Sequence, residues 1–251
     1  MDLVADLGAG TGTTAVIGAG GKKSAIYTLA GRIDRAVVTA TVRIPPFDEH
    51  VAAVVRTADP AAALDSVTDW PVGLVPDYED SRYLGYDPTV VDTIDQRGVA
   101  DAVLVKADGA RNREFKAPGD DEPRIPPGAD RVLLMVSTHV VGKPLEAPHV
   151  HRPERVAALT GRSIGEPITV EDVATVATDP AGGRKNVPPG AELFLVLNKV
   201  DDDADEATAR EIAAAVMELS GGSTHDGPPS IDRVALTKLI DENQPLVDVI
   251  D

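Results

Sequence analysis

The chain has 251 residues, 43% of them apolar, with 41 acidic and 24 basic side chains and a net charge of −17. That length suffices to bury a core without staples, and the apolar fraction excludes a disordered acidic tail. The negative field excludes nucleic acid and anionic membranes as expected partners, and the absence of cysteine excludes thiol catalysis, Cys-ligated zinc and iron–sulfur clusters.

In chain order, Thr13–Ile17 (TTAVI) reads as a strand that runs into a glycine cluster, and Lys23–Ile33 as the helix after it. Ala36–Val42 reads as a second strand, stopped by Pro45-Pro46, and Asp48–Ala58 as a helix. Val72–Val75 is a short strand, Pro88–Arg97 a helix opened by proline, and Asp101–Lys106 a strand. Arg131–Ser137 (RVLLMVS) and Glu192–Leu197 (ELFLVL) are continuous apolar runs, the pattern of strands covered on both faces. Asp205–Ser220 carries Ile212, Val216 and Leu219 on one helical stripe, and Arg233–Thr237 is a last strand. Strands alternating with helices predict an α/β fold, a doubly wound, mainly parallel sheet with helices on both faces. One domain, 1–251, is expected, with long functional loops at 107–129, 138–153 and 179–190 near the strands' carboxyl ends. No apolar run approaches the roughly 20 residues needed to span a bilayer and no signal peptide opens the chain, so the expected location is the cytoplasm. Asp outnumbers Glu 28 to 13 and Arg outnumbers Lys 16 to 8, a halophilic pattern in which salt screens the self-repulsion.

Gly18-Ala19-Gly20-Gly21-Lys22-Lys23-Ser24 follows the first strand and opens the first helix. Small residues let backbone amides converge on phosphate oxygens, the helix start adds partial positive charge, and a lysine reaches the terminal phosphates. The loop is a shortened phosphate-loop pattern, G-x-x-G-K-x-S, and Lys22-Lys23 at a helix start opposes the dipole unless an anion lies there. Gly10-x-Gly12-x-x-Ala15 matches a dinucleotide fingerprint but precedes a strand, so it reads as a turn. Asp108, just past strand Asp101–Lys106, stands where a nucleotide-site magnesium would be held. Lys106, Arg111, Arg113 and Lys116 place four cations in eleven residues beside it. Thr39 and Thr41 end the second strand on one face and offer hydroxyls to a metal. Asn198-Lys199-Val200-Asp201 has the N-K-x-D form that reads guanine, with Asp201 accepting from the base edge and Asn198 contacting O6. His149-x-His151, with His139 upstream, has metal-pair spacing but no clear third ligand, and reads as a polar loop.

The segments VIGAGGKKS (16–24), VVTATVRIPP (37–46), VLVKADGARNREFKAPGDDEPRIP (103–126), VGKPLEAPHVHRPERVAALTG (141–161) and LNKVD (197–201) resemble the YqeC-type accessory proteins associated with selenium-dependent molybdenum hydroxylases. The resemblance spans most of the chain. It implies a P-loop NTPase-like fold and a role in maturing a molybdenum hydroxylase or its cofactor. Two positions depart from the family pattern: Lys23 replaces a hydroxyl after the loop lysine, and Lys106 replaces a glutamate before Ala107-Asp108-Gly109-Ala110. The expected ligands are a nucleoside triphosphate, GTP or ATP, with magnesium on Ser24, Thr39 and Asp108. The expected activity is hydrolysis of the nucleotide's phosphoric anhydride, with Lys22, Asp108 and Arg111 as the candidate catalytic residues; Gly18, Ala19, Gly20, Gly21, Lys22, Lys23, Ser24, Asn198, Lys199 and Asp201 are the candidate nucleotide contacts. The alternatives are a non-catalytic, nucleotide-responsive binding protein, favoured by Lys23 and Lys106, and an ATP-dependent ligase of Mur type, whose loop the shortened spacing resembles.

Overall fold

A computed structural model describes residues 1–220 and 229–251. The chain runs α1 (Leu3–Asp6), β1 (Gly12–Gly18), α2 (Lys22–Ala30), β2 (Ala36–Ala40), β3 (Ala53–Arg56), α3 (Pro60–Ala63), β4 (Val72–Val75), β5 (Tyr78–Glu79), β6 (Arg82–Tyr83) and α4 (Pro88–Gln96). It continues through β7 (Ala102–Lys106), β8 (Phe115–Lys116), β9 (Arg131–Ser137), β10 (Val150–His151), α5 (Pro153–Thr160), α6 (Val170–Thr178), β11 (Glu192–Asn198), α7 (Asp203–Ser220), β12 (Ile231–Thr237) and β13 (Leu246–Ile250). Nine strands form one sheet in the order β13-β12-β11-β9-β1-β7-β2-β4-β3. Every pairing in it is parallel except β12 with β13. The fold is thus α/β with a large, mostly parallel central sheet, as the alternating pattern predicts.

Helices cover both faces because neighbouring residues of the buried strands point oppositely. Val16, Leu104, Leu133 and Met135 pack under Ala25, Ile26 and Leu29 of α2. Ile17, Leu134 and Leu195 pack on the other face against Val173 of α6 and Ile212 and Val216 of α7. Val91 and Ile94 of α4 cover Val37, Val103 and Val105. No helix among the described residues is long and apolar enough to cross a membrane.

Three expectations are corrected. Asp48–Ala58 is no helix: a 3-10 turn at Asp48–His50 leads into β3, which pairs in parallel with β4. Its β-branched Val54 and Val55 fit a pleated strand, and the tertiary pairing outweighs the helical spacing. Strand β2 stops at Ala40 rather than Val42, because Tyr86 N–H takes the Ala40 carbonyl. Helix α2, expected over Lys23–Ile33, ends at Ala30, with Gly31 at its carboxyl cap.

Candidate functional site

Strands β7, β1, β9 and β11 lie side by side in parallel, so the segments after Lys106, Gly18, Ser137 and Asn198 all emerge at one edge of the sheet. From β1 the chain crosses to β2 on one side, while β9, reached after β7, lies on the other, the arrangement in which α/β sheets form ligand crevices. The turn from β1 to α2 is only Ala19-Gly20-Gly21. At Gly20, φ is +85°, and a Cβ would lie 2.5 Å from Ser137 N; at Gly21, φ is +144°, and a Cβ would lie 2.2 Å from Asn198 Nδ2. Glycine is needed at both positions for backbone conformation and for space.

Beneath this turn lies a buried cluster of charges. Asp108, 2% exposed, pairs with Lys22 Nζ and with Lys116 Nζ, each at 2.9 Å, and accepts from Gly18 N–H at 2.9 Å. Lys22 also donates to the Gly18 carbonyl. Lys116 reaches the Gly109 carbonyl at 2.7 Å and Glu122 Oε2 at 2.9 Å, and Arg152 meets the same Glu122 oxygen at 2.8 Å. Lys106 Nζ donates to the carbonyls of Asp108 at 2.7 Å and Arg43 at 3.3 Å, and among the described residues it forms no ion pair with a carboxylate. Burial opposes the charge of Asp108, but Lys22 and Lys116 outweigh it and hold the carboxyl below its ordinary range. Burial pulls the Lys22 ammonium down against the attraction of Asp108, and burial with the nearby Lys22 charge lowers Lys106 to about 7. His151, which pairs in register with Lys116 across β8 and β10, is lowered to about 4 by burial and then by Arg152, so it is neutral at pH 7.

Glu122 makes a testable contribution to stability. Burial opposes its charge, yet Lys116 and Arg152 bring it from 4.5 to about 2. A depressed carboxyl stabilises the fold above its unfolded value, and that contribution is lost as pH falls from about 4.5 towards 2. Glu122→Gln is expected to cost on the order of 2 kcal/mol at neutral pH. The deficit relative to the native chain should shrink as acid protonates the native Glu122; melting curves of both proteins between pH 2 and 7 check this.

Above the cluster opens a cleft of about 870 Å³. Lys22, Lys23, Lys106, Lys199, Arg43, Arg82, Arg111 and Arg113 line it against only Asp80 and Glu114. In a chain of net charge −17, this is a concentration of positive potential that attracts anions. The cleft continues past Lys23, Ser24 and Lys199 into a second one, bordered by Tyr27, His50, His139 and Asp201. The rings of Tyr27 and His50 stack there, with centroids 3.9 Å apart. His139 Nε2 lies 3.2 Å from Asp205 and 3.6 Å from Asp201.

The structure therefore brings Lys22, Lys23, Ser24, Asp108, Arg111, Lys199 and Asp201 to one edge, but it assigns several of them different tasks. The amides of Gly18, Ala19 and Gly20 are taken by Asp108, the Met135 carbonyl and the Arg113 carbonyl. The loop amides left for a ligand are those at the start of α2, whose first turn has no internal acceptor and no side-chain cap. Asn198 braces the loop rather than facing a base: its amide donates to the Gly20 carbonyl at 2.8 Å, and its oxygen accepts from Leu239 N–H and Thr237 Oγ1, each at 3.2 Å. Lys199 pairs with Glu114 at 2.7 Å. Magnesium on Ser24, Thr39 and Asp108 does not fit this arrangement. Two ammonium groups and an amide already surround the Asp108 carboxylate, and the buried Thr39 hydroxyl donates to the Leu74 carbonyl at 2.7 Å. Of the three, only Ser24 is exposed at the cleft. The Thr41 hydroxyl donates to the Arg124 carbonyl at 2.6 Å. Glu122 and Arg152, which complete the cluster, carry no spacing signal; the two-residue pairing of β8 with β10 brings them in.

A sequence profile of the family described as YqeC protein matches residues 14–154. That span contains the glycine loop, Lys22, Asp108, Lys116, Glu122 and Arg152. The protein YqeC of Escherichia coli (strain K12), itself described as uncharacterized, is similar to this chain: 30% identical over 206 residues, which is 78% of this chain and 80% of that protein.

Proposed function

The chain belongs to the YqeC family, and on that footing we propose that it is a nucleotide-binding accessory factor, P-loop NTPase-like in fold, serving the maturation of a selenium-dependent molybdenum hydroxylase or its cofactor. The observation that carries the nucleotide reading is the cation-lined cleft over a buried Lys22–Asp108–Lys116 cluster at the uncapped start of α2. Among the described residues Lys23 has no carboxylate partner and Lys22 shares Asp108 with Lys116, and a polyphosphate supplies the further negative charge. In this reading the terminal phosphates lie against Lys23 and the first amides of α2. Lys22 turns from Asp108 to them, and Arg111, exposed on the cleft wall, neutralises their outer oxygens. Positioning and charge neutralisation are the main requirements of phosphate chemistry. The misfit of magnesium favours binding over turnover, so the reading stops at a nucleotide-responsive protein. The client is the one that the family resemblance implies.

The base lies in the adjoining cleft, where Asp201 presents an exposed carboxylate. A carboxylate there accepts from the guanine N1–H and exocyclic amine, and it meets no matching donor pair on adenine. Competition calorimetry with GTP, GDP, ATP and ADP in molar potassium chloride tests both parts. Guanine nucleotides should bind more tightly, and Asp201→Asn should weaken GTP while improving xanthosine triphosphate. Equal affinity for ATP and GTP, unchanged by the substitution, rejects the base reading; absence of any nucleotide binding rejects the function.

A further inference from the structure

The cleft is broader and more positive than a single polyphosphate at α2 requires. Besides the glycine loop and Lys22, its lining includes Arg43, Arg82, Arg111 and the buried Lys106. Arg43 is already paired with Glu79 and Asp80 across the β5–β6 hairpin. Among the described residues, Arg82 and Arg111 have no carboxylate partner, although the chain carries 41 acidic residues.

Lys106 is the stronger sign. It is 7% exposed, and among the described residues the oxygens bonded to its ammonium are the carbonyls of Asp108 and Arg43. A buried ammonium satisfied by neutral carbonyls alone is costly. Lys22 and Lys116 share the Asp108 carboxylate, so the cluster holds more cations than its own acids neutralise. Arg111 and Asn112, on the rim above, hold φ of +48° and +58°, a strained backbone of the kind found at binding sites. Lys106 also joins the two ends of the cleft. Its ammonium sits on the Asp108 carbonyl, and the carboxylate of the same residue touches Lys22.

We propose that Lys106 and Arg82 form a second anion subsite, which takes a phosphorylated small molecule other than the nucleotide, beside the phosphates at the start of α2 and the Arg111 that serves them. This inference rests on the nucleotide reading above for its neighbour, but not for its own residues. An anion there supplies the counter-charge that Lys106 lacks. Since burial and Lys22 lower Lys106 to about 7, anion binding draws a proton onto it above that pH, and affinity falls as pH rises from 6 to 8.

Inorganic pyrophosphate is the probe, titrated by calorimetry into the full chain saturated with a non-hydrolysable GTP analogue. Pyrophosphate should still bind to the saturated protein. Arg82→Ala, a change at an exposed position, should weaken that second event about tenfold and leave the affinity for the analogue within twofold. Lys22→Ala should do the reverse, losing the nucleotide while keeping a pyrophosphate site sensitive to Arg82. Competition of pyrophosphate with the nucleotide one for one, or an Arg82→Ala protein that titrates like the native chain, would overturn the subsite. A protein that binds no nucleotide but still binds pyrophosphate through Arg82 would retain the subsite and remove the nucleotide reading.

Discussion

Replacing Asp108 with alanine is expected to lower the melting temperature by about 6–20 °C, and pyrophosphate is expected to restore much of that loss. The carboxylate is the shared counter-ion of Lys22 and Lys116 and the acceptor for Gly18 N–H. Removing one member of a buried charge cluster costs about 3–5 kcal/mol, because the others are left uncompensated. In a chain of this size each kcal/mol corresponds to about 2–4 °C. Asp108→Asn keeps an oxygen for Gly18 N–H and should fall between the native chain and the alanine variant. Rescue separates this account from simple loss of packing, since an anion replaces the missing charge and a cavity gains nothing from one. Melting curves of the three proteins, with pyrophosphate against potassium chloride of matched ionic strength, decide it. Equal stabilisation by both salts would mean that the cluster does not accept an anion.

Lys22→Ala should weaken nucleoside triphosphate binding at least tenfold, about 1.4 kcal/mol, and Lys23→Ala should weaken it less. Lys22 is buried at the centre of the cluster, and Lys23 is half-buried at the junction of the two clefts. Successive helical residues point roughly 100° apart, so the two ammonium groups do not substitute for one another. Removing Lys22 leaves Asp108 with Lys116 alone and adds repulsion towards a phosphate, which enlarges the effect. Calorimetry on both variants measures the difference; equal losses, or none, would detach the phosphates from this loop.

Much of the sheet was readable from continuous apolar runs, because β1, β7, β9 and β11 are covered on both sides and need no alternation. Strand β3 was misread, since its four residues lie among alanines and charges at helical spacing, and only pairing with β4 makes it extended. Helices α5 and α6 were missed, although Thr169 and Asp172 form a capping box whose spacing stands in the sequence. The antiparallel edge strand β13 was also missed. In the site, the glycine turn, Lys22 and Asp108 were legible from local order, and Lys116 stood out among the clustered cations. Glu122 and Arg152 carry no local signal, since Glu122 meets Lys116 only through the folding of its own loop and its second cation, Arg152, stands 30 residues further on. The N-K-x-D order marks Asn198 as a base contact, and the structure shows its amide on the Gly20 carbonyl. Its position after a buried strand marked it, but the carbonyl that it holds lies 178 residues earlier in the chain.

That last contact bears on where this protein can be cut. The matched family segment ends at residue 154, and it contains every lysine and carboxylate of the buried cluster. Asn198, with Thr237 and Leu239 behind it, fixes the Gly20 carbonyl from outside that segment. Strand β11, which borders β9, and helices α6 and α7, which cover Ile17 and Leu134, also come from beyond it. A recombinant fragment trimmed to the recognisable segment would therefore keep the charges and lose the scaffold that aims them. The segment that the family profile matches is smaller than the portion that must be inherited whole.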